Sequence, residues 1–320
     1  MRIGILTSGG DAPGMNACIR AVVRGGLYYG MEIFGIRQGY EGLISGDFVQ
    51  MGTASVADII HRGGTILQTA RSNAFMTEEG LKRAYDQLQK HKIDALVVIG
   101  GDGTLTGAER LHSLTGMRLF GLPGTIDNDL AYTDFTIGFD TSVNTVLSAI
   151  GNIRDTSSSH GRTTIVEVMG RQCGDIALHA GLAGGAETIL VPEKSYDLDD
   201  IVKKLQAGRS RGKRHSIIIK AEGVDISSEQ LAETLAERLD GAEVKVVILG
   251  YIQRGGSPTA RDRILASRTG VRCVELIKEG VSNAAVGIKG DTVVDYPLAV
   301  ALAMEKDSHL EYQRICDILL

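Results

Sequence analysis

Short apolar runs alternate along the chain with longer stretches of helical character. The runs at 3–6, 95–99, 118–122, 164–168, 216–220 and 245–249 are rich in Val and Ile and do not alternate strictly with polar residues. That pattern predicts buried strands of a parallel sheet covered on both faces. Helix-like stretches fall between them at 15–29, 78–91, 140–153, 198–211, 228–238 and 260–279. Such alternation predicts βαβ units and an α/β fold with mostly parallel sheets. At 320 residues the chain exceeds the roughly 250–300 at which single cores stop growing, so two domains are expected. The stretch near 138–140 is a candidate boundary, because Gly138 separates a motif-rich block from a long helix.

Composition sharpens this at one point. The 41 glycines are nearly twice the usual share of about 7%. They have no period, which excludes collagen and low-complexity readings, and they collect in tight loops. Ile3–Leu6 runs into Thr7-Ser8-Gly9-Gly10-Asp11-Ala12-Pro13-Gly14, and Val97–Ile99 into Gly100-Gly101-Asp102-Gly103-Thr104. Val246–Leu249 runs into Gly250-Tyr251-Ile252-Gln253-Arg254-Gly255-Gly256-Ser257. All three read as strand, glycine loop, helix. In an open α/β sheet such loops gather at the carboxyl ends of the strands, where backbone N–H groups and helix N-termini receive anions. A phosphate-binding cleft is the expectation. No loop fits the Walker A pattern or the GxGxxG dinucleotide pattern.

Charge and cysteines narrow the class further. A net charge of −5 argues against nucleic acid as a main partner. No apolar stretch nears the roughly 20 residues of a bilayer span, and the start of the chain lacks a signal-peptide pattern. Cys18, Cys173, Cys273 and Cys316 are widely spaced, as in a cytosolic protein with reduced thiols.

Phosphoryl transfer needs a phosphate cradle, a metal, cationic clamps and a base. Asp102, at a strand end after two glycines, suits either Mg²⁺ or a helix N-cap. The acidic loop Pro123-Gly124-Thr125-Ile126-Asp127-Asn128-Asp129 suits either a general base with metal-organising neighbours or turn formation. Arg71, Arg162, Arg171 and Arg254 stand near strand ends or glycine turns, where the guanidinium fork matches phosphate oxygens. A second basic group comprises Arg211, Lys213, Arg214 and His215, with Arg20 and Arg24 four apart on one helix face. It is either a solvated surface or a second, regulatory anion site.

Together these motifs resemble the bacterial ATP-dependent 6-phosphofructokinases from residue 1 to about 300. The anchors are TSGGDAPGMNA at 7–17, GGDGT at 100–104, PGTIDND at 123–129, RDTSSSH at 154–160, EVMGR at 167–171, GGAE at 184–187 and QRGGSP at 253–258. GGDGT is shared with other kinases, whereas PGTIDND, EVMGR and QRGGSP in this order are specific. The resemblance implies two Rossmann-like three-layer α/β/α domains with the active site in the cleft between them. Residues 1–138 plus about 251–303 would bind ATP, and 139–250 plus about 304–320 would bind fructose 6-phosphate. It implies transfer of the ATP γ-phosphoryl group to the sugar C1 hydroxyl.

The same resemblance assigns roles by position. Asp127 would be the base, with Arg71, Thr125 and Arg171 also catalytic, and Asp102 would bind Mg²⁺. Gly10, Arg71, Ser72, Asp102, Gly103 and Thr104 would hold ATP. Thr125, Ile126, Asp127, Met169, Gly170, Arg171, Glu222, Lys245, Tyr251, Ile252, Gln253 and Arg254 would hold the sugar phosphate, joined by Arg162 from a neighbouring subunit. Arg20, Arg24, Asp58, Arg154, Gly185, Glu187, Arg211, Lys213 and His215 would form an effector pocket for ADP or phosphoenolpyruvate. A cytoplasmic homotetramer acting on small molecules, without nucleic acid or membrane partners, is implied.

Pyrophosphate-using relatives carry Asp and Lys where this chain has Gly103 and Gly124, so ATP is the expected donor. The alternatives are a pyrophosphate-dependent enzyme and a non-catalytic nucleotide sensor. The sensor would be expected to lack Asp102 or Asp127, and both are present. Lys245 and Tyr251 replace the family's more usual Arg and His, and both are expected to face the sugar phosphate. Thr53 and Ala54 depart from the effector site of some relatives, which bears on the strength of regulation.

Overall fold

The computed structural model describes residues 1–240 and 242–319. The chain begins β1 (Arg2–Thr7), α1 (Met15–Tyr28), β2 (Glu32–Ile36), α2 (Gly39–Ser45), β3 (Phe48–Met51) and α3 (Glu78–Lys90). It continues β4 (Ala95–Gly100), α4 (Asp102–Thr115), β5 (Arg118–Thr125), β6 (Ile137–Gly138), α5 (Phe139–His160), β7 (Thr163–Val168) and α6 (Asp175–Gly184). Then follow β8 (Thr188–Leu190), α7 (Leu198–Ser210), β9 (Ser216–Ala221), α8 (Ser228–Arg238), β10 (Val244–Ile248) and α9 (Ala260–Glu279). It closes with β11 (Asn283–Lys289), β12 (Thr292–Tyr296), α10 (Leu298–Leu302) and α11 (Glu311–Leu319). Two compact units result: Met1–Ile126, Leu130–Thr141 and Arg254–Lys306 form the first, and Asp127–Asp129, Ser142–Gln253 and Asp307–Leu320 the second.

The first unit is built on a sheet in the order β12-β11-β5-β4-β1-β2-β3, with β6 paired to β5. Its interior pairs are parallel, and β3 and β12 join antiparallel at the two edges. Successive side chains point to opposite faces of a strand. Leu6, Leu96 and Val98 therefore meet Leu43, Leu81, Leu105 and Leu298 from the helices on one side. Ile5, Val97 and Ile99 face the other way and are equally buried. The strands need both faces covered, and so their sequences are unbroken apolar runs.

Local chemistry sets the helix ends. Thr77 accepts from the Gly80 N–H at 3.1 Å to start α3, with Glu78 and Glu79 in the favourable first turn. Leu81, Ala84 and Leu88 then bury one face of that helix. Ser227 and Gln230 form a reciprocal capping box on α8.

The second unit carries a four-stranded parallel sheet in the order β10-β7-β9-β8. At its centre Glu167 and Lys220 are register partners on β7 and β9. The Lys220 Nζ sits 3.2 Å from Glu167 Oε2, which also accepts from the Ser228 hydroxyl at 2.5 Å. Lys220 is 1% exposed. The final residues dock here as well: Gln313 donates to the Ile189 carbonyl at 2.7 Å, and Lys204 pairs with Asp317 at 2.7 Å.

Three expectations are corrected. β10 is an edge strand rather than a buried one, with Ile248 55% exposed, because only β7 pairs with it. The helix expected at 140–153 runs to His160, where Ser158 and Ser159 return their hydroxyls to the Asp155 carbonyl within the helix. The third glycine loop does not run straight into a helix: its first five residues, Gly250–Arg254, form a short 3₁₀ turn well before α9. Gly256, in the left-handed region, and Pro258 interrupt the chain until Thr259 caps α9 through the Asp262 N–H.

Removing one member of a buried ion pair strands the other charge, at a cost of about 3–5 kcal/mol. Lys220→Ala is therefore expected to lower unfolding stability by about that amount, read as a reduced urea midpoint by far-UV circular dichroism. A midpoint unchanged from the parent would show that the pair carries no such weight.

Candidate phosphate-binding and catalytic loops

In the first unit three segments meet at the carboxyl ends of β1 and β4. The Ser8 N–H donates to the Ile99 carbonyl at 3.0 Å, which ties the two glycine loops together. Thr69 donates to the Gly9 carbonyl at 2.7 Å and brings in the segment with Arg71 and Ser72. The Tyr40 hydroxyl holds the Thr104 carbonyl at 2.6 Å, and its ring stacks on Phe75 at 3.7 Å between centroids. α1 and α4 start behind Gly14 and Gly101, and neither has a side-chain cap. Their N-termini thus present positive ends toward the loops.

Asp102 is the first residue of α4 rather than its cap, which removes the capping alternative, and its carboxylate is exposed. A Cβ added at Gly103 would meet nothing within 4 Å. One added at Gly124 would stand 2.7 Å from Ile99 Cγ2, so only glycine fits there without repacking. The Thr136 hydroxyl fixes the Thr125 carbonyl at 2.7 Å. Arg254 lies in this unit, its guanidinium carbon 3.2 Å from where a Gly10 Cβ would be.

The second unit holds the acidic loop's carboxylate. Asp127 is 7% exposed, and its Oδ2 lies 3.5 Å from the Arg171 Nε. Asn128 adopts a left-handed conformation and donates to Asp175 Oδ2 at 2.8 Å, which anchors the loop. Arg171 is also left-handed, and its N–H donates to Glu222 Oε1 at 2.9 Å, beside the Gly170 N–H at 3.2 Å. Gln253 receives the Met169 N–H at 3.2 Å. A Cβ on Gly223 would fall 2.0 Å from the Arg171 carbonyl oxygen, so that glycine permits the Glu222 clamp.

Not every residue expected at the sugar phosphate gathers in one place. Arg162 precedes β7 while Met169–Arg171 follow it, about 20 Å apart at roughly 3.3 Å per residue. Lys245 opens β10 beside Thr164, at the same amino end. Tyr251 and Ile252 lie beyond the far end of β10, both exposed, so Lys245 and Tyr251 do not face one ligand within a single chain. Arg162 and Lys245 instead share Glu243, at 2.5 and 3.0 Å. Their pull holds the Glu243 carboxyl below its ordinary pKa. Ile126 is buried and offers only its backbone.

Several residues of the expected effector pocket do converge in the second unit. Lys213 pairs with Glu187, which is 5% exposed and also accepts from the Ile217 N–H. Arg154 reaches the Gly184 and Gly185 carbonyls. Arg211, Lys213 and Glu187 line a cavity of about 400 Å³ with Lys204 and Ser216. His215 is half-buried beside them. Arg20, Arg24 and Asp58 belong to the first unit.

Sequence reading missed Asp262, which is 1% exposed and accepts from the Gly138 N–H at 3.0 Å and the Thr141 N–H at 2.8 Å. Burial raises its pKa against those hydrogen bonds. In the string ARDRILAS it looks like an ordinary first-turn acid. Lys220 was equally invisible.

Glycine loops before helix N-termini, with a buried aspartate against an arginine at a strand end, define a phosphate-handling α/β protein. The chain belongs to the phosphofructokinase family, whose sequence model matches residues 2–277. A relative from Clostridioides difficile strain 630, called an ATP-dependent 6-phosphofructokinase, is 57% identical over 317 residues, 99% of this chain and 98% of its own. Another so named, from Alkaliphilus metalliredigens, is 56% identical over 317 residues, again 99% and 98%. The phosphofructokinase structure from Saccharomyces cerevisiae matches with a TM-score of 0.88 at 37% identity, covering 94% of this chain and 45% of that one. This chain thus spans less than half of the yeast polypeptide. A pyrophosphate-dependent phosphofructokinase from Marinobacter aquaeolei, 21% identical with a TM-score of 0.84 over 98% of this chain and 86% of its own, shares the fold.

The two glycine environments differ enough to test. Gly223→Ala should cost about 1–3 kcal/mol, because the Arg171 carbonyl must move. Gly103→Ala, with open space in a first helical turn, should change stability by no more than about 1 kcal/mol. Thermal melts of the two variants compared with the parent check both.

Proposed function

We propose that the protein transfers the γ-phosphoryl group of ATP to the C1 hydroxyl of fructose 6-phosphate, giving fructose 1,6-bisphosphate and ADP. The observation that carries this reading is the nearly buried Asp127 carboxylate with the Arg171 guanidinium 3.5 Å away. Asp127 accepts the proton of the attacking hydroxyl. Arg171 and Arg71 stabilise negative charge on the transferring group, and Thr125 helps orient it. The relatives named ATP-dependent 6-phosphofructokinase at 56–57% identity support the choice of donor and acceptor.

The first unit is read as the ATP-binding one. Gly10, Arg71, Ser72 and Asp102–Thr104 hold the nucleotide, with its phosphates at the α1 and α4 N-termini. The exposed Asp102 fits Mg²⁺, which takes one or two carboxylates and completes its shell with water and phosphate oxygens. Among the described residues no three His, Cys, Asp or Glu side chains gather as a ready-made metal cage, in keeping with that mode. Bound there, Mg²⁺ would neutralise phosphate charge. The open space at Gly103 leaves room for the nucleotide, where an aspartate would stand in its way.

The second unit is read as the fructose 6-phosphate-binding one. Met169, Gly170, Arg171 and Glu222 are its core, with Arg254 and the 251–253 turn contributing. Arg162 and Lys245 sit at the opposite strand ends, which supports their serving the site of a neighbouring copy in a homotetramer. Arg211, Lys213 and Glu187, with Arg154, Gly185, His215, Arg20, Arg24 and Asp58, form the proposed effector site. A phosphate-bearing effector would compete with Glu187 for Lys213. A cytoplasmic location completes the reading, and no helix among the described residues is long and apolar enough to cross a membrane.

The testing experiment is the initial rate with fructose 6-phosphate and Mg²⁺, run with ATP and with pyrophosphate. Turnover with ATP alone is expected; turnover with pyrophosphate overturns the donor, and none with either overturns the activity. Asp127→Ser should lower kcat by about 10²–10⁴-fold with little change in KM, and near-normal turnover would exclude it as the base. Lys213→Ala should blunt any ADP or phosphoenolpyruvate response while leaving the basal rate. An intact response would remove Lys213 from the effector site.

A further inference from the structure

A second cavity lies in the first unit, lined by none of the residues assigned above to nucleotide, sugar phosphate or effector. It measures about 350 Å³, within the usual range for small-molecule sites. Phe135, Ile264, Leu265 and Ile288 form an apolar wall, and Arg261 and Arg268 stand at its rim. The Arg261 guanidinium lies 3.5 Å from the centroid of the Phe135 ring. Among the described residues no carboxylate pairs with Arg261. Arg268 donates to the Asp291 carboxylate at 2.7 Å and to the Asp291 carbonyl at 2.6 Å; that carboxylate is 97% exposed, so an incoming anion competes with the ion pair while the carbonyl holds the guanidinium in place. Ile264 is 57% exposed, more than a purely structural role on α9 requires.

We propose that this cavity binds a small planar aromatic anion. Three features select that class. A guanidinium already stacked on an aromatic ring offers its second face to another flat π-system. The unpaired Arg261 charge, with Arg268 beside it, supplies a bidentate partner for a carboxylate, sulfonate or phosphate. The aliphatic wall covers the remaining ring surface, and the half-open cavity of about 350 Å³ has room for a bicyclic ring system. The single acid at the rim, Asp291, leaves two positive charges against one negative.

The site is coupled to its surroundings on both sides. Phe135 adjoins Thr136, which holds the Thr125 carbonyl, and Arg261 adjoins Asp262, which holds Gly138 and Thr141. A ligand gripping Phe135 and Arg261 therefore steadies the segment 134–141.

The test uses 2-naphthalenesulfonate as probe, titrated into the full chain by calorimetry, with neutral naphthalene-2-sulfonamide as comparator. Saturable binding of one probe per chain is expected, with Kd on the order of 1 mM or tighter. The sulfonamide should bind at least about tenfold more weakly, as should the sulfonate to Arg261→Glu and to Ile264→Asp. Both positions are exposed, and unchanged thermal melts would certify that the variants fold. Hydrogen exchange should slow at 134–141, 261–268 and 288–291 when the probe is bound. No saturable binding, equal affinity for the neutral comparator, undiminished binding to both folded variants, or protection appearing elsewhere would each overturn the proposal.

Discussion

Strand direction governs nearly everything placed around these sheets. β1, β4 and β5 run the same way in one unit, and β7, β9 and β10 do so in the other. Segments that follow the strands must then collect at one end, and segments that precede them at the opposite end. The first two glycine loops follow strands in the first unit and Thr125 ends β5 there, while Met169–Arg171, Glu222 and the third glycine loop follow strands of the second. Arg162 precedes β7, and Lys245 lies at the amino end of β10. One rule of backbone polarity thus separates residues that composition would group together as cations near strand ends, and it gives the proposed multi-subunit site its geometric basis.

Polarity only brings loops near one another; specific groups hold them in position. In the second unit a single carboxylate, Glu222, gathers two successive backbone donors from Gly170 and Arg171. Gly223 must then lack a side chain, since the Arg171 carbonyl occupies that space. Two residues below, the Glu167–Lys220 pair lies across the same strands and fixes their register through charge. In the first unit Asp262 plays a similar part, drawing Gly138 and Thr141 onto the start of α9. Glu222 and Asp262 hold backbone N–H groups, while Glu167 holds the Lys220 ammonium and the Ser228 hydroxyl, and together they fix the backbone from which Arg171 projects.

The protein's own ion pairs complement the proposed ligand chemistry. Arg171 rests on Asp127, Lys213 on Glu187, and Arg162 with Lys245 on Glu243. In each pair the cation is more exposed than a structural bridge would need, or its partner is. Solvent-exposed pairs are individually worth about 0–1 kcal/mol. A phosphate, with more charge and more acceptor oxygens, competes most easily for Arg162 and Lys245, whose partner Glu243 is exposed, and at higher cost for Arg171 and Lys213, whose partners are nearly buried. The carboxylates keep the cations in place without binding them so tightly that a ligand is excluded.

How much was legible in advance follows from the range of the forces involved. The interior strands and the helices at 228–238 and 260–279 were visible because apolar periodicity and capping residues act over a few positions. The glycine loops were visible for the same reason: tight turns demand particular residues locally. Short elements such as β8 and α10, and the edge status of β10, were not, since pairing partners decide them. The roles of Glu222, Gly223, Lys220 and Asp262 rest on contacts between residues far apart in the chain, which no local string encodes. The sequence by itself determined the α/β class, the loops and the family. Only the tertiary structure decided which carboxylate meets which donor, and at which end of its strand each cation stands, because strand register and direction are properties of the assembled sheet.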